Sequence, residues 1–212
     1  MKALAVFGMV LAVGATAANA ATIYDNRADF EAALLGGFFT DDYNAAGYGV
    51  GDIINNPALD IHSNASMSGV VGETDYTSTG FDNWNFILRH SSGDSDYCAG
   101  CNGSFLFEFE TTSWGDANGV YGAGYDIEAG TDYYAYITYG NGTTENVNLA
   151  GRSFFGVTSD LSVKSIHSGL IDGGSTTGGY IELDNLTIGR IPEPAMLSLL
   201  ALGGLGLLRR RR

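Results

Sequence analysis

From residue 84 onward, apolar and polar residues alternate with a period of two, and this constrains the fold more than any other feature of the chain. "WNFILRH" (84–90), "SFLFEFE" (104–110), "VYGAGYDIE" (120–128) and "YYAYITYG" (133–140) are rich in aromatic and β-branched residues and read as strands. "ENVNLAG" (145–151), "SFFGVTS" (153–159), "SVKSIHSG" (162–169) and "YIELDNLTIG" (180–189) continue the pattern. Turn signals separate them at Gly93-Asp94, Asn118-Gly119, Asn141-Gly142 and Gly173-Gly174. Strands recurring at about 8 to 12 residue spacing predict an all-β domain, an antiparallel two-sheet sandwich of jelly-roll type. No internal repeat is apparent, which argues against a solenoid.

One segment breaks the period. In "IYDNRADFEAALLGG" (23–37), Phe30, Ala33 and Leu34 fall at i, i+3 and i+4, the spacing of one helix face. Asp25 or Asn26 can cap the helix start, Asp29 and Glu31 suit its N-terminal dipole, and Gly36-Gly37 ends it. Residues 40 to 80 read as turns with short strands near Ile53 and over Ser66–Val71.

The ends differ from the body. Met1-Lys2 is followed by an apolar run to Val13 and by Ala18-Asn19-Ala20, small residues in the A-x-A pattern. This predicts a secretory signal peptide over 1–20, cut by signal peptidase between Ala20 and Ala21. At the other end, "IPEPAMLSLLALGGLGLLRRRR" (191–212) joins Pro192-Glu193-Pro194 to an uncharged 14-residue run, Ala195 to Leu208, and then to Arg209, Arg210, Arg211 and Arg212. As a helix the run is about 21 Å long, short for a hydrocarbon core of about 30 Å unless the arginine stems extend its reach. The arginines hold it on the cytoplasmic side. The chain thus divides into a signal peptide (1–20), a β domain (21–189) and a C-terminal segment (190–212).

Pro-Glu-Pro, an apolar helix and an arginine cluster, in that order after an export signal, resemble the PEP-CTERM sorting signal. The resemblance implies an exported protein of a Gram-negative bacterium that makes exopolysaccharide. It also implies recognition by exosortase, a membrane-embedded cysteine transpeptidase-like enzyme, and removal of the tail. "RADFEAAL", "SFFGVTSD" and "ELDNLTIG" in the body resemble other cargo of this route more loosely.

Composition restricts the function classes. Residues 21–190 hold 23 acidic side chains against five basic ones (Arg27, Arg89, Arg152, Lys164 and Arg190), a net charge of −18. Such a surface repels phosphate backbones and anionic lipid, so nucleic-acid binding is excluded as a reading. The 12 Tyr, 11 Phe and two Trp of the chain supply a packed core and argue against disorder.

Little in the body points to chemistry. Cys98 and Cys101 in "YCAGCNG" read as a disulfide staple in an exported chain. Asn102 stands where a c-type haem motif needs His, no second ligand pair completes a zinc site, and no βαβ context supports a redox site. Glu108 and Glu110 lie about 7 Å apart on one strand face, a spacing open to an inverting glycosidase. Alternation alone gives the same pattern, with Phe105, Phe107 and Phe109 inward. His62, His90 and His167 are isolated, and no nucleophile elbow or phosphate loop is present, so no catalytic residue is assigned.

Asp41-Asp42, Asp94-Ser95-Asp96 and Asp116-Ala117-Asn118-Gly119 are oxygen-rich loops of the kind that bind calcium. By analogy with jelly-roll carbohydrate-binding domains, which carry calcium between first and last strands, Asp25 and Asp184 are structural-calcium candidates; a simple strand-end contact at Asp184 is the competing reading. Tyr133 and Tyr139 share one strand face, and Tyr134 and Tyr136 the other. One pair belongs to the core and the other is open to a ligand surface. The expectation is a non-enzymatic structural or interaction protein of the cell envelope or extracellular matrix, needing no cofactor. A carbohydrate-binding module for exopolysaccharide is the alternative, and a small glycan-active hydrolase or lyase ranks third.

Overall fold

The computed structural model describes residues 21–44, 58–59, 74–79, 86–89, 92–98, 104–130, 132–169 and 181–191. The signal peptide, the segment from Pro192 on, His62, His90, Cys101, Gly173-Gly174 and the strands expected near Ile53 and over 66–71 lie outside them.

Among the described residues the chain forms twelve strands and one helix: β1 (Thr22–Tyr24), α1 (Arg27–Ala33), β2 (Phe38–Asp41), β3 (Ala58–Leu59), β4 (Asp75–Ser78), β5 (Phe86–Arg89), β6 (Ser95–Cys98), β7 (Phe105–Glu108), β8 (Val120–Ala129), β9 (Tyr134–Tyr139), β10 (Thr144–Asn148), β11 (Phe154–Gly169) and β12 (Glu182–Gly189). All pairings are antiparallel. One hydrogen-bonded path runs β3-β4-β7-β11-β8-β12-β6-β5, and β1, β2, β9 and β10 branch from it.

The branches centre on β11. Its first part, Phe154–Thr158, pairs with β8 and lies against β1. Its second part, Ser165–Ser168, is flanked by β7 and β9. The two segments expected at 153–159 and 162–169 are therefore a single strand. Between them Ser162 takes a left-handed φ of 61° and the register shifts between Val163 and Ser165. The extra residue flips the side-chain parity, so Val157, Val163 and Ile166 all face the core.

β12 repeats the device. Asn185, a residue type that tolerates φ > 0, sits at 52° where the register slips between Asp184 and Thr187. Leu183, Leu186 and Ile188 are all buried as a result, despite uneven spacing.

The main core is aromatic. Tyr76 and Phe107 stack edge to face at 4.7 Å, Phe105 and Phe107 lie at 4.6 Å, and Tyr97 meets Phe105 at 5.5 Å. Two pairs of buried hydroxyls bond to each other, Tyr125 with Ser168 at 2.8 Å and Tyr43 with Tyr76 at 3.3 Å. Burial pushes the Tyr43, Tyr97 and Tyr125 phenols up, so they stay neutral.

The helix is shorter than expected. Asn26, not Asp25, caps it, with its side-chain oxygen accepting the Asp29 N–H at 3.1 Å. Phe30 and Leu34 pack with Phe154 in a second apolar cluster on the other face of the sheet. Gly156 makes this possible, because a Cβ there would lie 2.8 Å from the Phe30 ring. No helix among the described residues is long and apolar enough to cross a membrane, and the run 195–208 expected to do so lies outside them.

Candidate functional site

β12 leads directly into the C-terminal segment, so its last residues decide how that segment leaves the body. Gly189 lies between two strands, paired with Phe38 on β2 and with Gly122 on β8. It must be small, since a Cβ there would meet the Leu34 side chain at 2.4 Å. Beyond the strand, the Arg190 N–H donates to the Gly37 carbonyl at 3.0 Å. The Arg190 guanidinium lies 4.8 Å from the Trp114 ring centre, and Trp114 in turn packs on Phe39 at 6.2 Å. A cation over an exposed ring contributes about 0.5–1 kcal/mol. The chain is thus held through Arg190, two residues before Pro192.

A second constellation lies on the helix side of the sheet. Asp184 pairs with Asp126, and Leu183 with Tyr97. Alternation then places Asp96, Asp184 and Asp126 on one face of three neighbouring strands, with Asp94, Glu182 and Glu128 beside them. Arg27, on the first turn of α1, ties this face to the helix. Its Nε donates to both Asp126 carboxylate oxygens, at 3.0 and 3.1 Å. Nη1 donates to Thr187 Oγ1 at 2.8 Å and to Glu31 Oε1 at 3.3 Å, and Nη2 donates to the Asn185 carbonyl at 2.9 Å.

Asp184 is buried and accepts from the Asn185 backbone N–H at 2.6 Å and from Asn185 Nδ2 at 2.9 Å. Burial and the negative charges of Asp96, Asp94 and Asp126 outweigh those bonds and push its carboxyl up to about 7. Glu128 is raised as well, by desolvation and by Asp96 and Asp126.

The other sequence candidates separate. Asp25 stands exposed just before the helix cap while Asp184 is occupied by Asn185. Among the described residues, no group of three or more His, Cys, Asp or Glu is placed to hold a metal ion. Phe105, Phe107 and Phe109 are buried, and Glu110 forms an ion pair with Lys164 at 2.9 Å. Cys98 is buried at the end of β6, and its expected partner Cys101 lies outside the described residues, so the staple is not part of the described structure. Tyr133 and Tyr139 belong to the core, whereas Tyr134 and Tyr136 are part-exposed on the other face of β9.

Three contacts had no signal in the sequence pattern: Arg27 with Asp126, Arg190 with Trp114, and a hydroxyl chain at His167. There His167 Nε2 lies 2.7 Å from Thr79 Oγ1, which lies 2.6 Å from Ser104 Oγ. Burial lowers the His167 pKa, which favours a neutral ring. The scarcity of basic residues was the one available pointer to the first two, because each cation in so acidic a body has many possible partners.

No curated protein and no solved structure matches the chain. The family model for the PEP-CTERM protein-sorting motif matches residues 190–212, starting at the residue that Gly37 and Trp114 hold. The motif marks the chain as an exosortase-sorted protein exported to the cell envelope or surface.

Proposed function

We propose that the chain is a structural or interaction protein of the cell envelope or extracellular matrix, non-enzymatic, from a Gram-negative bacterium that makes exopolysaccharide. In this reading the body is a jelly-roll-like sandwich whose two sheets share β11. Exosortase removes the tail after export and releases the acidic β body to its destination. The sorting motif at 190–212, joined without a spacer to the last strand, carries this reading. The body's charge supports a hydrated, ion-rich setting such as a polysaccharide matrix.

The test is mass spectrometry of the mature protein from its native host. The expected product lacks the apolar run and the arginines. Changing Pro192, Glu193 and Pro194 together to alanine is expected to leave export intact and to retain the tail on the membrane. An unaltered protein that keeps its tail in the host would end the processing claim.

A further inference from the structure

The chain leaves the fold at one corner, and that corner holds the exposed large hydrophobic side chains of the described residues. Leu35 is 54% exposed and Phe38 is 41% exposed. They flank Gly36-Gly37, the turn whose Gly37 carbonyl accepts the Arg190 N–H and whose Gly36 lies against the Arg190 carbonyl. A lone exposed leucine needs no explanation. Two such side chains beside the point where the tail departs, the exposed large hydrophobics among the described residues, do need one.

The distance supplies it. Ile191 to Pro194 separate Arg190 from the apolar run that begins at Ala195. Fully extended, such a linker spans at most about 14 Å. Arg190 is fixed by its backbone bond and by Trp114, so the body does not swing on a long tether. Wherever the run enters a bilayer, the exit corner is brought to the bilayer surface.

We propose that Leu35 and Phe38 rest in the headgroup layer of the membrane that holds the tail, docking the body on the bilayer until the tail is removed. This rests on the sorting reading above. Leucine and phenylalanine suit that layer. Contact is confined to the corner, since the body's charge of −18 holds the rest away from anionic lipid. Once the tail is cut, two side chains are too small an anchor to hold the body, so docking ends with processing.

Photocrosslinking of the full chain in phosphatidylcholine vesicles tests this. Benzoylphenylalanine replaces Leu35, Phe38 or, as control, Ala150. Ala150 precedes the start of β11, which pairs at the level of Asp126 and so lies at the other end of the ladder from Gly189. Lipid adducts at 35 and 38 are expected at roughly ten times the yield at 150. Equal yields at all three positions, or adducts at 38 only to a second copy of the chain, would overturn the docking while leaving the sorting reading intact. A chain washed off the vesicles by alkali would instead show that the tail is not held in the membrane, and both readings would fall.

Discussion

Asp184 shows how a buried carboxylate sets a pH dependence. Its folded-state pKa of about 7 lies above the ordinary value near 3.9. The native state therefore keeps a proton that the unfolded chain has already released. Stability from this group is fully present below about pH 4 and is lost as pH rises through about 7. Glu128 acts with the same sign. Thermal unfolding between pH 5 and pH 8 is expected to show a falling Tm, and Asp184→Asn, which cannot ionise, is expected to fall less steeply. Equal slopes for the two proteins would refute the assignment. The sequence marked the position as a calcium candidate or a strand-end contact, not as a buried carboxyl that keeps its proton. Its burial depends on Asp96 and Asp126 arriving from distant strands, which no local pattern encodes. The tyrosines were easier: alternation alone divided Tyr133 and Tyr139 from Tyr134 and Tyr136, because a strand has only two faces.

Among the elements, β11 marks the boundary of what alternation can reveal. The pattern locates both halves, but it ends one strand at Ser159 and begins another at Ser162. The chain instead stays in the ladder through a left-handed residue at Ser162 and a one-residue bulge. A bulge enters the periodicity only as a change of phase, which a break between two strands produces as well. Ser162 should therefore be sensitive to backbone preference more than to side-chain contacts. Ser162→Gly is expected to be neutral to within about 0.5 kcal/mol, while Ser162→Val, β-branched at positive φ, is expected to cost about 2 kcal/mol. Chemical denaturation of both variants measures this. A valine variant as stable as the glycine variant would mean that the left-handed turn is not a constraint. The helix was legible for the opposite reason, since its cap, face and terminator all lie within fifteen consecutive residues.

At the scale of the whole molecule, charge governs how stability responds to the solution around it. The body carries −18, and six of its carboxylates gather around β6, β12 and β8, where Arg27 pairs with Asp126. Self-repulsion of this kind destabilises a compact state and is screened by salt, whose Debye length falls from about 30 Å at 0.01 M to about 8 Å at 0.15 M. The Tm is therefore expected to rise with sodium chloride over that range. The comparison with calcium chloride separates two causes. Screening depends on ionic strength, so matched solutions of the two salts should give nearly the same rise. A bound ion acts by mass action instead, and would raise the Tm at low millimolar calcium well beyond the matched sodium value. The arrangement of Asp25 and Asp184 supports the screening outcome: one is exposed before the helix and the other is satisfied by Asn185. An excess calcium effect that Asp184→Asn abolishes would overturn it and return calcium to the fold as a structural ligand.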